Sequence, residues 1–181
     1  MEIKYCPVCG SSVTHEIPED DDRLRYVCHN CGNIQYQNPK MVVGCIPEWE
    51  GRILFCRRDI EPQKGLWTLP AGFMENNETA AAGAVRETWE EAKAKVRIVA
   101  PYRVYDLPFV NQMYFMFSAQ MTEPYFQTTP ESSEVRLMRE KDVPWDDIAF
   151  PVIRETLKSY FADRNAGHFD FLNLELKAES I

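Results

Sequence analysis

The sequence predicts an α+β protein, a layered core of strands with two helices, preceded by a module too small to fold without a cross-link. Three observations carry this. Four cysteines come in two close pairs near the N-terminus, apolar residues run at strand spacing through much of 41–138, and helical spacing is confined to stretches near 77–92 and 151–165.

The first element is residues 1–37. CPVC (Cys6, Cys9) and CHNC (Cys28, Cys31) are separated by 18 residues, and each is followed by glycine, Gly10 and Gly32. Paired C-x2-C units at this spacing match a structural zinc ribbon, in which four thiolates close a tetrahedron around Zn2+ and leave no open position. A module of about 35 residues buries too little apolar surface to fold alone, so metal binding supplies its stability. His15 and His29 are further ligand types nearby, but the cysteines complete the set. MEIKYCPVCG has no basic stretch leading into an apolar one, and MVVGCIP falls far short of a membrane span. A cytoplasmic protein with no membrane partner is expected, and in that reducing compartment the six cysteines read as ligands or buried thiols.

Asn38-Pro39 ends the ribbon and opens the main domain, residues 38–167. MVVGCIP and RILFCRR read as strands joined by a turn at EWEG, with Cys45 and Cys56 as small buried hydrophobes. KVRIVAPYRVYDL and QMYFMFSAQM follow as strands, then the loop TEPYFQTTPESSE and the short strand EVRLM. The second helix carries Val152, Ile153, Leu157, Tyr160 and Phe161 on one stripe, with Pro151 in its first turn and Gly167 as its stop. The tail, 168–181, contains HFDFLNLELK at strand period and is a candidate edge strand for a partner subunit, making a homodimer possible.

The first helix holds the chemistry. Asn77 is its expected N-cap, with Glu78 in the first turn and an end near Ala92. RETWEEAKA packs Glu87, Glu90 and Glu91 into five positions. With Glu87 at zero, Glu90 falls at about −60° and Glu91 at about +40°, while Ala81, Val85, Thr88 and Ala92 fall at about 100–160°. The acids are therefore expected on one face, nearly opposite the core stripe. Like charges three and four positions apart destabilise an isolated helix by about 0.2–0.5 kcal/mol per pair, so the trio needs open water or a cation. The net charge of −8, from 20 basic and 28 acidic residues, disfavours nucleic acid and anionic membranes as partners. A phosphorylated ligand would need a bridging cation.

From Gly72 to Ala94 the chain resembles the box of the Nudix hydrolases, G-x5-E-x7-R-E-U-x-E-E-x-G-U. Gly72, Glu78, Arg86, Glu87, Glu90 and Glu91 stand at fixed positions, Thr88 and Ala94 at the apolar ones, and Lys93 replaces the last glycine. The resemblance implies a Nudix α/β/α sandwich that hydrolyses a nucleoside diphosphate linked to a group X. It implies Mg2+ or Mn2+ on Glu87, Glu90, Glu91 and the Gly72 carbonyl, with Arg86 pairing with Glu78 to orient the helix. Hard divalent ions take such oxygen ligands together with substrate phosphates and stabilise charge on the attacking and leaving oxygens. The implied base is Glu87 or a glutamate of the later loop, Glu131 or Glu134, of which Glu134 is preferred for its place at the loop-to-strand junction. For Lys93 the expectation is a slight helix extension or a right-handed turn in place of the glycine conformation.

The ribbon before the box also resembles the NADH pyrophosphatases, but their SQPWPFPxS array is absent, the matching region reading APYRVYDLPFVNQ. PAGF and Pro108 look like ADP-ribose pyrophosphatases, and the longer pattern from about Cys6 to Arg164 resembles a subgroup of FAD and ADP-ribose pyrophosphatases. The expected substrate is thus a small ADP-linked dinucleotide, FAD or ADP-ribose, cleaved to AMP plus X-phosphate. The alternatives are NADH or another nucleoside diphosphate-X, and a nucleotide-sensing module without catalysis. Arg57, Arg58 and Tyr105 are candidate substrate contacts, and Tyr102 and Phe109 fall in the same specificity region.

Overall fold

The computed structural model describes residues 2–178, which divide into two compact units at Pro39 and Lys40. Residues 179–181 of the expected tail lie outside the described residues.

In the first unit three short antiparallel strands, β1 (Thr14–Glu16), β2 (Arg25–Val27) and β3 (Ile34–Gln35), follow one another in a small sheet. Each cysteine pair forms the same knuckle. The N–H of Gly10 donates to the Cys6 carbonyl at 2.9 Å, and that of Gly32 to the Cys28 carbonyl at 2.8 Å, with both glycines at φ 73°. A side chain would be strained in that left-handed turn, which is why glycine follows each pair. The four Sγ atoms all lie within 4.8 Å of one another, with Cys6 to Cys31 at 3.6 Å and Cys9 to Cys28 at 3.5 Å. Tetrahedral Zn–S bonds of about 2.3 Å put sulfurs about 3.8 Å apart, so the set fits zinc. The Ser11 N–H, its hydroxyl and the Asn30 amide hold the Cys9 thiol down at about 5, which favours the ligating thiolate.

The second unit is one mixed sheet. Its strands are β4 (Lys40–Trp49), β5 (Arg52–Arg58), β6 (Trp67–Thr68), β7 (Ala71–Phe73), β8 (Val96–Leu107), β9 (Gln112–Met121), β10 (Ser132–Met138) and β11 (Leu172–Glu175). The order is β10-β5-β4-β9-β8-β11, with β6 on β5 and β7 on β4. Glu50 (φ 49°) and Gly51 (φ 73°) make the tight turn between β4 and β5, whose right-handed twist favours two left-handed residues there. Because strand side chains alternate, β4 sends Val42 and Ile46 to one face and Val43 and Cys45 to the other. On the first face they meet α2 (Pro151–Ala166) through Val152, Ile153, Leu157, Tyr160 and Phe161. On the second they meet Ala84 of α1 (Ala80–Ala92). Full burial of each large side chain contributes about 1.5–3 kcal/mol, so the central strands and the two helices hold one another in place. The result is an α/β/α sandwich.

The tail strand β11 pairs in parallel with β8, from Leu172 opposite Arg103 to Glu175 opposite Asp106. The strand expected to add to a partner subunit here extends its own chain's sheet.

Two details of α1 differ from expectation. The cap is Thr79, whose hydroxyl accepts from the Ala82 N–H at 3.1 Å, while Asn77 is left-handed (φ 66°) in the preceding turn. Glu78 therefore precedes the helix. Lys93 is also left-handed, φ 53° and ψ 21°, the region glycine enters most readily, and its N–H donates to the Trp89 carbonyl at 2.9 Å. A left-handed non-glycine residue is strained by about 1–2 kcal/mol, offset in part by the larger entropy glycine loses on folding. The ammonium lies 5.4 Å from the Trp89 ring, a second partial offset. Lys93→Gly is expected to raise the stability of this unit by about 0.5–1 kcal/mol, measured by urea denaturation; a loss of stability would show that the ring contact outweighs the strain.

Candidate active site

The site forms where α1 crosses the β4–β7 pair. Val43 of β4 is opposite Gly72 of β7, and the Glu87 carboxyl lies against that glycine. A Cβ on Gly72 would fall 2.3 Å from Glu87 Oε2, so only glycine admits the carboxyl here. Gly72→Ala is expected to displace Glu87 and lower turnover about a hundredfold while the chain still folds; near-normal rates in that variant would remove Glu87 from the chemistry.

The trio does not sit on a solvent face opposite the core. The buried stripe of α1 is Gly83, Ala84, Glu87, Thr88, Glu91 and Ala92, so two of the acids lie inside it. Glu87 is 8% exposed and Glu91 6%, whereas Glu90 is open to solvent. Burial, followed by the charge of Glu87, pushes the Glu91 carboxyl up to about 8, and burial also raises that of Glu87.

Arg86 holds the other carboxylates. Its Nε and Nη2 donate to both oxygens of Glu78 at 3.0 and 2.7 Å, and Nη1 donates to Glu87 at 2.7 Å and Glu90 at 2.9 Å. Nη2 also reaches the Phe73 carbonyl at 3.1 Å, tying the helix to β7. The guanidinium and the Glu75 N–H hold the Glu78 carboxyl down at about 2. Glu91 receives no such partner among the described residues. A buried carboxyl next to a second one, with no cation in contact, fits a divalent ion: its charge would replace the proton that burial otherwise keeps on Glu91. The three glutamates are more open than the cysteine set, since among the described residues only the cysteines bring three or more ligand atoms within 4.8 Å.

A cleft of about 720 Å3 opens over this cluster. It brings in Gly72, Arg86, Glu87, Glu90 and Glu91, together with Arg58 and Glu131. The Arg58 Nε donates to the Pro62 carbonyl at 2.7 Å, and its guanidinium stands 5.0 Å from the Phe150 ring. Strand alternation separates the two neighbouring arginines. Arg57 lies outside the cleft, donating to the Gly65 carbonyl at 2.8 Å and standing 3.6 Å from Glu134. Glu134, which also pairs with Arg136, is turned away with it. Glu131 is the loop acid that lines the cleft.

Tyr105 is not available for stacking: it is 1% exposed in the core beneath α2, and Tyr102 is buried there too. Phe109, 40% exposed, does line the cleft, with Val110, Gln112 and Tyr114 beside it. Tyr114, Phe150, Leu176 and Lys177 escaped sequence reasoning. Tyr114 had a usable signal, since it alternates with Phe115 on β9 and therefore faces the opposite side of the sheet. The tail residues had none.

The NUDIX domain family model matches residues 38–159, and the Nudix N-terminal zinc-ribbon model matches residues 4–37. A Nudix hydrolase structure from Nitrosomonas europaea is 50% identical, covers 96% of this chain and all of its own, and superposes with a TM-score of 0.91. The NAD-capped RNA hydrolase NudC of Photorhabdus laumondii is 27% identical over 130 residues, 71% of this chain but 48% of the relative, so the match spans about half of NudC. Phosphatase NudJ of Escherichia coli K12 is 27% identical over 132 residues, 67% of this chain and 83% of NudJ. An ADP-ribose pyrophosphatase structure from Streptococcus suis, 19% identical, covers 75% of this chain and 99% of its own with a TM-score of 0.63, a likeness of fold. Among the described residues no helix is long and apolar enough to cross a membrane. With its sandwich, its glutamate-bearing helix and both family matches, the chain belongs to the zinc-ribbon Nudix hydrolases, which use a divalent metal and act on phosphoanhydride bonds.

Proposed function

We propose that the protein hydrolyses the diphosphate of an ADP-linked dinucleotide, FAD or ADP-ribose, to AMP plus X-phosphate with Mg2+ as its working ion. The observation that carries this reading is that one cleft of about 720 Å3 joins a buried carboxylate cluster to an apolar wall of Phe109, Val110 and Tyr114. The volume suits a ligand with a charged centre and flat ends.

Glu87, Glu90 and Glu91 with the Gly72 carbonyl would hold the ion, which supplies Lewis acidity against the charge of the phosphate oxygens. The remaining work belongs to the chain's own groups. Arg58 faces the cleft as a cation for the diphosphate, and its contacts with Pro62 and Phe150 restrict its motion. Arg86 keeps Glu87 and Glu90 in place through Glu78 and the Phe73 carbonyl. The proton of the attacking water goes to Glu87 or to Glu131, both of which line the cleft. Glu134 is replaced by Glu131 in that role because its side chain is engaged with Arg57 and Arg136 outside the cleft. The likeness to NudC supports an NAD-type dinucleotide as the second reading.

The test is a rate comparison by chromatography on FAD, ADP-ribose, NADH and diadenosine polyphosphates, each with Mg2+ or Mn2+. AMP release fastest from FAD or ADP-ribose supports the proposal. A faster rate on NADH favours the second reading, and binding without product formation points to a sensor.

A further inference from the structure

The C-terminal tail spends strong interactions on little burial. All four residues of β11 are exposed, so the strand is not fixed by entry into the core. It is fixed at its root instead. Arg103, 4% exposed, donates to Asp163 Oδ2 and to the Asp170 carbonyl, and the Tyr102 hydroxyl donates to the same Asp163 oxygen at 2.7 Å. The Phe169 ring sits edgewise at 6.2 Å from Tyr102 and tilted at 5.3 Å from Tyr160. Beyond β11 the Leu176 N–H donates to the Asp106 carbonyl at 3.0 Å, and the Leu176 side chain packs on the core. The tail is thereby aimed: Leu176 and Lys177 line the cleft.

Strand order places them at the end away from the glutamates. Gly72 pairs with β4, and β11 lies three strand spacings from β4, about 14 Å at about 4.8 Å per spacing. That separation sets Lys177 in the half of the cleft away from the carboxylate cluster. Continuing the β11–β8 register past Glu175 and Asp106 brings Lys177 alongside the start of the Leu107–Gln112 connection, whose Phe109 and Gln112 also line the cleft. Among the described residues Lys177 makes no ion pair, whereas Arg86, which also lines the cleft, is saturated with acceptors.

On the reading under Proposed function, we infer that the tail is a specificity strap, in which Lys177 and Gln112 donate hydrogen bonds to ring carbonyls of a planar heterocycle on group X that lies against Phe109. A sugar X group offers hydroxyls but no flat face for that ring. The strap thus favours an X half that is a carbonyl-bearing heterocycle over one that ends in ribose.

The test has two arms. In turnover, Lys177→Ala is expected to raise the KM ratio of FAD to ADP-ribose about tenfold, with the change in KM rather than kcat, and Lys177→Arg to restore most of it. In binding, flavin fluorescence quenching titrates FMN against Glu90→Gln protein without divalent ions, with and without the added Lys177→Ala change, and with residues 176–181 removed. Both changes to the tail are expected to weaken FMN binding about tenfold. An unchanged KM ratio together with unchanged FMN affinity overturns the inference, as does a Glu90→Gln protein that binds no FMN. The binding arm requires no hydrolysis, so it reads the strap even if every dinucleotide proves inert and the proposed function fails.

Discussion

Glu91→Gln is expected to abolish turnover, by about a thousandfold or more, without loss of fold. The side chain is 6% exposed and among the described residues has no ion-pair partner, so its energetic value lies in what it binds. Removing a ligand carboxylate deprives the reaction of several kcal/mol of charge stabilisation. In metal-free protein the opposite holds. Burial and the neighbouring Glu87 push the Glu91 carboxyl up to about 8, so near neutral pH it is mostly protonated and glutamine is close to its isostere. The melting temperature without divalent ions should hold or rise. Glu90→Gln should likewise stop turnover, and near-normal activity in both variants would overturn the metal assignment. A fall in the metal-free melting temperature of Glu91→Gln would show instead that the carboxylate is structural.

Cys28→Ser is expected to release zinc and unfold residues 2–39 while the second unit keeps its own transition. Cys28 is fully buried, its N–H donates to the Asn33 carbonyl at 2.9 Å, and its sulfur is one of four within 4.8 Å of one another. Three short strands over 39 residues cannot offset the chain entropy, and zinc binding at such sites is worth about 10–16 kcal/mol near pH 7. Colorimetric zinc assay together with hydrogen exchange resolved along the chain checks this. Full zinc content, or unchanged exchange protection in residues 2–39, would contradict the structural role.

The ribbon and the order of the elements were legible because their signals are local. Paired cysteines with glycine, alternating apolar strands, and Pro151 with Gly167 around α2 each fix nearby backbone geometry. What depended on tertiary packing was not. A helical wheel gives angles between the glutamates but does not say which angle faces the sheet. The stripe of small residues at Gly83, Ala84 and Ala92 draws α1 close and takes Glu87 and Glu91 inside with it. The preference for Glu134 over Glu131 rests on its place at the loop-to-strand junction, whereas Glu134 pairs with Arg57 and Arg136 and Glu131 lines the cleft, contacts that pattern counting does not reveal. Arg57 and Arg58 read alike until their strand's alternation is referred to the cleft, and Tyr105 was misplaced for the same reason. The sequence predicts a helix extension or right-handed turn at Lys93, yet the residue is left-handed and the strain accepted, because the chain must still leave α1 toward β8. The tail's contribution to the cleft depends on Arg103, 67 residues from the Asp170 carbonyl it binds, a separation that no local motif spans.

On the proposed function, Glu87, Glu90 and Glu91 form the divalent-cation site on which cleavage depends. The site is read by electron paramagnetic resonance of free Mn2+, titrated with wild-type and Glu91→Gln protein in the presence of AMP. The wild type is expected to deplete the free Mn2+ signal, and Glu91→Gln to bind at least about a hundredfold more weakly. Equal Mn2+ depletion by both proteins would contradict the metal assignment.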